Sequence, residues 1–406
     1  MRPLIIYGAG LNLDSAVEDF LEQGRTPVCI VDGDAKKHGN VKIYRGGVSL
    51  EIMSLEIAVE RFPQSEFYVT PRAPAKFEIM NDLQKFGIKA EQIINFEPYE
   101  KKRGCRFLES MLHFEQQDIR FCCTTYETNP PKISLSDKSN EDLWKECLAV
   151  REKVAHNLKI SAQEGFCQNC PYIEEIYAST TYGVGVVGFG TGFVCQYNCC
   201  YCTHPIQTKE QRMHYTEKAL NFAKHLYKKE IINENTLVGL GNGEISINPM
   251  LGEIISTFKR SRIRFVSNGQ FYSTDIENAL KQGRCRMNFS LDAGTAETFK
   301  SIKTPKSGTA DFDTVCQNIR RYAQYAPIEL KYIIMPGTND NKLDIDNFLD
   351  FAQEINATVY VSRDAFKPID NMLSEKLLQT YTYFDVEMQK RNLVLYAVDF
   401  LKNIWK

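Results

Sequence analysis

The stretch Cys195-Gln196-Tyr197-Asn198-Cys199-Cys200-Tyr201-Cys202 spaces three cysteines as C-x3-C-x2-C and places an aromatic residue directly before the last one. Three thiolates this close in sequence can hold three irons of a 4Fe–4S cube and leave the fourth iron without a protein ligand. Such an open iron can bind another molecule, whereas a closed four-cysteine site mostly passes electrons or supports structure. The alternatives are a zinc site, which usually uses two separated C-x2-C pairs, and a disulfide. Cys200 is interpreted as a bystander, because its side chain cannot share the face set by the other three.

Composition narrows the class of protein. The chain has 406 residues, enough for two or three domains, and a net charge of −2. This balance argues against a general nucleic-acid or membrane-surface binder. No apolar run approaches the ~18 residues of a membrane span, and the segment Met1–Gly8 is too short for a signal-peptide core, so we expect a cytoplasmic protein without a membrane partner. Thirteen cysteines in such a chain favour metal or cluster ligation over disulfides.

The part of the chain that contains the cysteine loop, residues 181–406, alternates apolar strands with amphipathic helices. The predicted strands after the loop are Leu237–Leu240, Ile263–Ser267, Met287–Leu291, Ile328–Met335 and Thr358–Val361. Repeated strand–helix units predict an α/β fold with a parallel β/α barrel, full or partial. In such barrels the chemistry lies at the carboxyl ends of the strands.

Glycine and polar residues follow these predicted strands at their carboxyl ends. They are Gly243, Glu244, Ser267, Asn268, Ser290 and Asp292. A glycine turn at a strand end lets backbone carbonyls approach an ammonium group closely, and a nearby glutamate adds charge-assisted binding. The alternative for each is an ordinary turn or a helix cap. Lys331 is unusual within a strand: facing inward it could pair with a carboxylate, and facing outward it would be a solvated charge.

The cysteine spacing with Tyr201, together with Gly243-Glu244 and Ser267-Asn268-Gly269, resembles the radical S-adenosylmethionine (SAM) superfamily. The resemblance implies a 4Fe–4S cluster on Cys195, Cys199 and Cys202 whose open iron binds SAM. It also implies SAM contacts from the strand-end residues and from Lys331, and packing of Tyr201 on the adenine side of the loop. Departures are Asn242 in place of a glycine and the lack of a proline after Glu244. Reductive cleavage of SAM would then supply a 5′-deoxyadenosyl radical that abstracts hydrogen from a substrate.

Residues 1–100 begin as a β-α-β unit with the turn Gly8-Ala9-Gly10 and an acidic Asp32 after the second strand. The dinucleotide fingerprint is incomplete because Leu13 occupies the position of its third glycine, so a Rossmann-like fold without a nucleotide stays open. The segment resembles the small Rossmann-like domain attached to sugar-modifying acetyltransferases of surface-polysaccharide pathways.

Residues 101–180 form a cysteine-rich segment without clear α/β rhythm. Cys167 and Cys170 make a C-x2-C corner, which needs two more ligands from elsewhere. Cys105 and Cys123, or its neighbour Cys122, are the candidates. The segment resembles the SPASM and twitch auxiliary modules of radical SAM enzymes and implies a second 4Fe–4S cluster, although such modules usually follow the barrel. A structural zinc site or free thiols are the alternatives.

These observations together predict a radical SAM enzyme that receives electrons from a reductase such as flavodoxin or ferredoxin. The first domain favours a sugar or nucleotide-sugar of polysaccharide biosynthesis as the substrate. Modification of a peptide or protein is the second hypothesis, since auxiliary modules also occur in such enzymes. A non-catalytic iron–sulfur or zinc protein is the rival from another class, but a carrier needs neither the barrel pattern nor Gly243-Glu244.

Overall fold

Contacts divide the chain into two units in the computed structural model, residues 1–109 with 155–182 and residues 110–154 with 183–406. The model describes residues 2–10, 13–71, 75–96, 99–121, 132–135, 137–160, 173–179, 183–190, 195–202, 209–306, 308, 310–364, 371–393 and 395–397. This division differs from the predicted one at residues 100 and 180. The predicted cysteine-rich module is shared between both units, because its strands Met111–Glu115, Asp118–Arg120 and Lys132–Ser134 extend the sheet of the second unit, whereas Tyr99–Gly104 pairs with Glu174–Ser179 within the first.

The strands are β1 (Leu4–Tyr7), β2 (Cys29–Val31), β3 (Val41–Ile43), β4 (Ser49–Met53), β5 (Glu66–Val69), β6 (Tyr99–Gly104), β7 (Met111–Glu115), β8 (Asp118–Arg120), β9 (Lys132–Ser134), β10 (Glu174–Ser179), β11 (Val186–Gly190), β12 (Tyr197–Cys199), β13 (Leu237–Leu240), β14 (Arg262–Ser267), β15 (Cys285–Ser290), β16 (Lys303–Pro305), β17 (Ile328–Ile334), β18 (Thr358–Arg363) and β19 (Leu395–Ala397). The α-helices are α1 (Leu13–Glu22), α2 (Leu55–Arg61), α3 (Ala75–Lys85), α4 (Arg106–Ser110), α5 (Asn140–Ile160), α6 (Lys209–Lys228), α7 (Leu251–Phe258), α8 (Thr274–Lys281), α9 (Ala296–Ile302), α10 (Phe312–Ala323), α11 (Lys342–Glu354) and α12 (Asn371–Lys390). None of these helices, within the described ranges, combines the length and apolar composition needed to cross a bilayer.

The first unit contains a five-stranded sheet in the order β3-β4-β2-β1-β5, parallel except for the edge strand β3. Its interior strand β1, between β2 and β5, is buried throughout, as expected for a parallel sheet covered on both faces. Gly8 follows β1 with φ +112°, and a Cβ there would lie 2.5 Å from Pro71. The Asp32 carboxylate accepts hydrogen bonds from the backbone of Ala9 (2.6 Å) and from the Lys37 ammonium (3.1 Å). Asp32 therefore stabilises the turn Gly8-Ala9-Gly10 through its bond to Ala9. Nucleotide binding by this unit stays a prediction.

The second unit contains a ten-stranded sheet in the order β19-β18-β17-β15-β14-β13-β11-β7-β8-β9. The parallel strands of this sheet are β19, β18, β17, β15, β14, β13, β11 and β7. Beyond β7, the strands β8 and β9 continue the sheet as antiparallel strands. The prediction of an α/β fold with a parallel β/α architecture is confirmed. The described strands form an open sheet, since no pairing joins its two ends, and they do not close a barrel.

The two faces of this sheet differ in chemistry. Aromatic pairs join one face to the helices, for example Phe189 with Phe258 at 5.4 Å and Tyr332 with Phe348 at 4.8 Å between ring centroids. Because side chains alternate along a strand, the neighbouring residues lie on the opposite face. That face, here called the polar face, carries His113, Gly188, Gly239, Arg264, Asn288, Ser290, Glu329, Lys331 and Tyr360.

Candidate active site

The cysteine loop is held by a two-stranded antiparallel ribbon. Strand β12 pairs with β16 so that Cys199 lies opposite Lys303. The amide of Cys200 donates to the carbonyl of Ile302 (3.1 Å), and the amide of Cys202 donates to the carbonyl of Cys199 (2.9 Å). Cys195 and Cys199 are partly buried, whereas Cys202 is exposed. The loop is therefore anchored at one side and open at the other.

The three thiols act on each other electrostatically. Burial raises the pKa of Cys199 to about 11, the Lys303 charge opposes that rise, and the charges of Cys195 and Cys202 add to it. Burial likewise raises the pKa of Cys195. Within the described ranges, no three His, Cys, Asp or Glu side chains are gathered tightly enough for a single metal ion. A 4Fe–4S cube takes each thiolate on a different iron and deprotonates its thiol ligands, and three thiols carried by one short loop are a donor set of the kind that such a cube binds.

A buried ion pair lies beneath the loop. The Lys303 ammonium is 2.5 Å from Asp292 Oδ2, and their side chains are 1% and 0% exposed. The Tyr201 hydroxyl donates to the same carboxylate oxygen (2.7 Å), and the amide of Ile333 donates to Asp292 Oδ1 (2.9 Å). Burial raises the pKa of Asp292, but the charges of Lys303 and Lys331 and the hydrogen bonds from Lys303 and Tyr201 together outweigh it, so the net pKa is lowered.

This arrangement bears on the predicted contacts of Tyr201 and Asp292 with SAM. The structure joins the two residues to one another, and no part of the Asp292 side chain is exposed. Through these contacts the cysteine loop is bonded to the end of strand β15. Lys303, which completes the group, was missed by sequence reasoning because a single lysine in Ile302-Lys303-Thr304 carries no signal of burial.

Glu244 is the centre of a second buried network. It is 2% exposed, and its Oε1 accepts from the Ser246 amide (3.0 Å) and from the hydroxyls of Ser246 (2.6 Å) and Ser267 (2.7 Å). Its Oε2 accepts from the Asn268 amide (2.6 Å). Burial raises the pKa of Glu244, and these donors offset that rise only in part. Glu244 thus ties the turn after β13 to the end of β14, and Oε2 keeps capacity for one more donor.

The predicted strand-end residues and the cysteine loop meet at Asn268. Its Nδ2 points to the Cys195 sulfur at 3.8 Å, and its Oδ1 accepts from Gln196 Nε2 at 2.9 Å. Gly243 has φ +114°, the left-handed backbone that the glycine turn requires. The structure therefore brings Glu244, Ser267 and Asn268 to the cysteine loop, as the sequence predicts for neighbouring strand ends.

A histidine on the added strand β7 joins this region. Asn242, with φ +63°, lies 3.1 Å from His113 through Nδ2 and Nε2. The glycines of β11 make the room: a Cβ on Gly188 would lie 2.8 Å from the His113 ring, and a Cβ on Gly190 would lie 2.2 Å from Asn242 Nδ2. Sequence reasoning missed His113 because β7 was not predicted as part of the sheet.

The remaining predicted residues fall in two places. Ser290 and Lys331 are direct partners in the β15–β17 register, and both belong to the polar face. Cys105 is 7% exposed and directly follows β6, whose Gly104 pairs with Glu174 at the start of β10. Cys105 therefore lies at the end of the β6–β10 ribbon where β10 begins, and Cys170 precedes β10 in the sequence by four residues. Cys123, Cys167 and Cys170 lie outside the described residues.

Comparison with known sequences agrees with this geometry. The structure combines a parallel β/α sheet with a loop of three cysteines beside its strand ends. Residues 191–352 match the sequence model of the radical SAM superfamily. The chain therefore carries a radical SAM domain, and the prediction of this superfamily, whose members are enzymes, is confirmed.

Individual relatives are distant. A curated relative is the GTP 3′,8-cyclase of Nostoc punctiforme, 24% identical over 189 residues, which are 44% of this chain and 55% of that protein. The chain thus matches about half the length of this relative. Similar solved structures include Streptococcus suis SuiB bound to S-adenosylmethionine (TM-score 0.43, 10% identity, 65% of this chain and 57% of that one). Another is anSMEcpe with bound AdoMet (TM-score 0.41, 12% identity, 53% of this chain and 64% of that one).

Proposed function

We propose that this protein cleaves SAM reductively at a 4Fe–4S cluster held by Cys195, Cys199 and Cys202, and uses the product to abstract hydrogen from a substrate. The observation that carries the proposal is the junction at Asn268, where the Glu244 network meets the cysteine loop. When bound, the cluster and SAM supply a 5′-deoxyadenosyl radical. The chain's own residues bind and orient SAM and the substrate, and they exclude water from the site.

Each predicted residue takes a role that its contacts support. Gly243 would offer its backbone in a left-handed turn, and the Glu244 carboxylate, which accepts from the Asn268 amide, would also accept from the SAM amino group. Ser267 and Asn268 hold that carboxylate, and Ser290 faces the cofactor from the polar face. Tyr201 and Asp292 are both bonded to Lys303, and this group positions the cysteine loop relative to the sheet.

The substrate that we favour is a sugar or nucleotide-sugar, and the first unit, with its parallel sheet and glycine turn, supports this as a Rossmann-like accessory domain. Modification of a peptide or protein is the second candidate. The named activity of the Nostoc relative shows that a nucleotide can be the substrate of a related domain. We further propose a cytoplasmic location and a flavodoxin or ferredoxin as electron donor, because the cluster must be reduced.

We propose a second, closed 4Fe–4S cluster on Cys105, Cys123, Cys167 and Cys170. Two observations support it. Cys105 is buried, and it follows Gly104, the last residue of β6. Gly104 pairs with Glu174, which comes four residues after Cys170 in the sequence. Four thiolates satisfy a cube, so this cluster would transfer electrons or support structure and would not bind SAM.

One experiment tests both clusters. After anaerobic reconstitution with iron and sulfide, we expect about eight irons per chain in the wild type and about four when Cys195, Cys199 and Cys202 are all changed to alanine. The triple variant should form no 5′-deoxyadenosine from SAM under reducing conditions, whereas Cys285→Ala, at a cysteine away from the loop, should form it at the wild-type rate. Undiminished 5′-deoxyadenosine from the triple variant would falsify the first assignment. A wild-type count near four with one zinc would make the second site a structural zinc site.

A further inference from the structure

The polar face carries a charge imbalance beside the proposed cofactor site. In the middle of the sheet, Glu329 is the acceptor for two arginines, Arg264 at 2.5 Å and Arg286 at 3.4 Å. Arg264 also lies over the ring of Tyr360, 5.5 Å from its centroid. In this group the two guanidinium groups share one carboxylate, so the three side chains together carry a net charge of one positive unit.

Lys331 adds a second unbalanced positive charge. It pairs in register with Ser290 on one side and with Tyr360 on the other, so its side chain lies on the same face as the arginines. No hydrogen bond or ion pair joins the Lys331 ammonium to any residue in the described part of the chain. The carboxylate whose charge acts on it is Asp292, which is already bonded to Lys303. Burial lowers the pKa of Lys331, consistent with a charge that lacks a partner.

A half-buried cation without a partner costs stability, and natural proteins keep such groups where a ligand supplies the opposite charge. Two unbalanced positive charges match a group that carries close to two negative charges. A phosphate monoester does so at neutral pH, whereas a carboxylate such as that of SAM carries one. Arginine and lysine are also the side chains that recognise phosphate oxygens.

We propose that the polar face of β14, β15 and β17 is the substrate-binding wall and that Lys331 binds a phosphate group of the substrate, with Arg264 and Arg286 behind it. This inference rests on the proposed function, because it names the substrate class of that same site as a phosphorylated small molecule. It moves Lys331 from the predicted SAM contacts to the substrate. Ser290 contributes a hydroxyl next to Lys331.

The test uses the full-length protein after anaerobic reconstitution, with inorganic phosphate as the probe, acetate as the carboxylate comparison and SAM as the cofactor. Binding is measured by calorimetry for the wild type, Lys331→Met, Lys331→Arg and Lys224→Met. Lys224 is the matched control, since it pairs with Glu253 on a helix surface away from the polar face. We expect Lys331→Met to weaken phosphate binding by about tenfold or more, the loss of one charge-assisted hydrogen bond. Lys331→Arg should retain most of it, and Lys224→Met all of it.

A second readout does not depend on ligand affinity. Without phosphate, Lys331→Met should raise the melting temperature, because an unpartnered charge is replaced by an apolar side chain. Added phosphate should raise the melting temperature of the wild type but not that of the variant. The proposal is overturned if the wild type binds no phosphate, if acetate binds as well as phosphate, or if Lys331→Met weakens SAM more than phosphate. None of these measurements requires SAM cleavage, so failure of the proposed function would show separately, as a reconstituted wild type that forms no 5′-deoxyadenosine.

Discussion

The ion pair beneath the cysteine loop allows a prediction with a magnitude. Lys303→Met removes the ammonium but keeps most of the side-chain volume, so the Asp292 carboxylate stays fully buried with only the donors from Tyr201 and Ile333. Two neutral hydrogen bonds, each worth about 1 kcal/mol net, cannot replace a bonded counter-ion. The Lys331 charge also acts on Asp292, but it makes no ion pair with this carboxylate in the described part of the chain. We expect the free energy of unfolding of the second unit to fall by about 3–5 kcal/mol, the cost of a buried charge that loses its partner.

Urea unfolding followed by fluorescence measures this loss, with Lys281→Met as the control because its pair with Glu277 is exposed and worth at most about 0.5 kcal/mol. The double variant Lys303→Met/Asp292→Asn removes both charges of the ion pair and should recover a large part of the loss, so the two single costs should not add. A cost below about 1 kcal/mol for Lys303→Met, or additive costs, would refute the reasoning that the pair is dry and mutually dependent.

Two further changes probe the strand ends. Glu244→Gln keeps the shape but removes the charge, so SAM affinity should fall by roughly 1–3 kcal/mol in a binding titration, while Glu253→Gln on a helix surface leaves it unchanged; equal affinities would assign Glu244 to the turn alone. Gly190→Ala places a Cβ 2.2 Å from Asn242 Nδ2, so unfolding should become easier by about 1–3 kcal/mol and SAM should bind more weakly. Gly252→Ala, with open space around its Cβ, should shift stability by at most about 1 kcal/mol, and a loss equal to that of Gly190→Ala would contradict the steric argument.

Signals that are local in sequence predicted much of this protein. The spacing of Cys195, Cys199 and Cys202 is readable without a fold, because the C-x3-C-x2-C pattern lies within eight consecutive residues. The strands from Leu237 to Val361 were predicted within a few residues, because burial on a parallel sheet leaves a short apolar run flanked by helices. Neighbouring parallel strands end at the same edge, so the meeting of Glu244, Ser267 and Asn268 also followed from the pattern.

What the tertiary structure decided depends on contacts between distant segments. Strand β7 joins the sheet through pairing with β11, more than seventy residues away, and brings His113 to Asn242. Lys303 lies in β16, which pairs with β12 of the cysteine loop, and in this position its ammonium contacts Asp292. The direction of Lys331 likewise needed the fold, since alternation along a strand tells which residues share a face but not which face is covered by helices. Local chemistry determined which groups this chain carries, and long-range packing determined which of them are already partnered and which are left for a ligand.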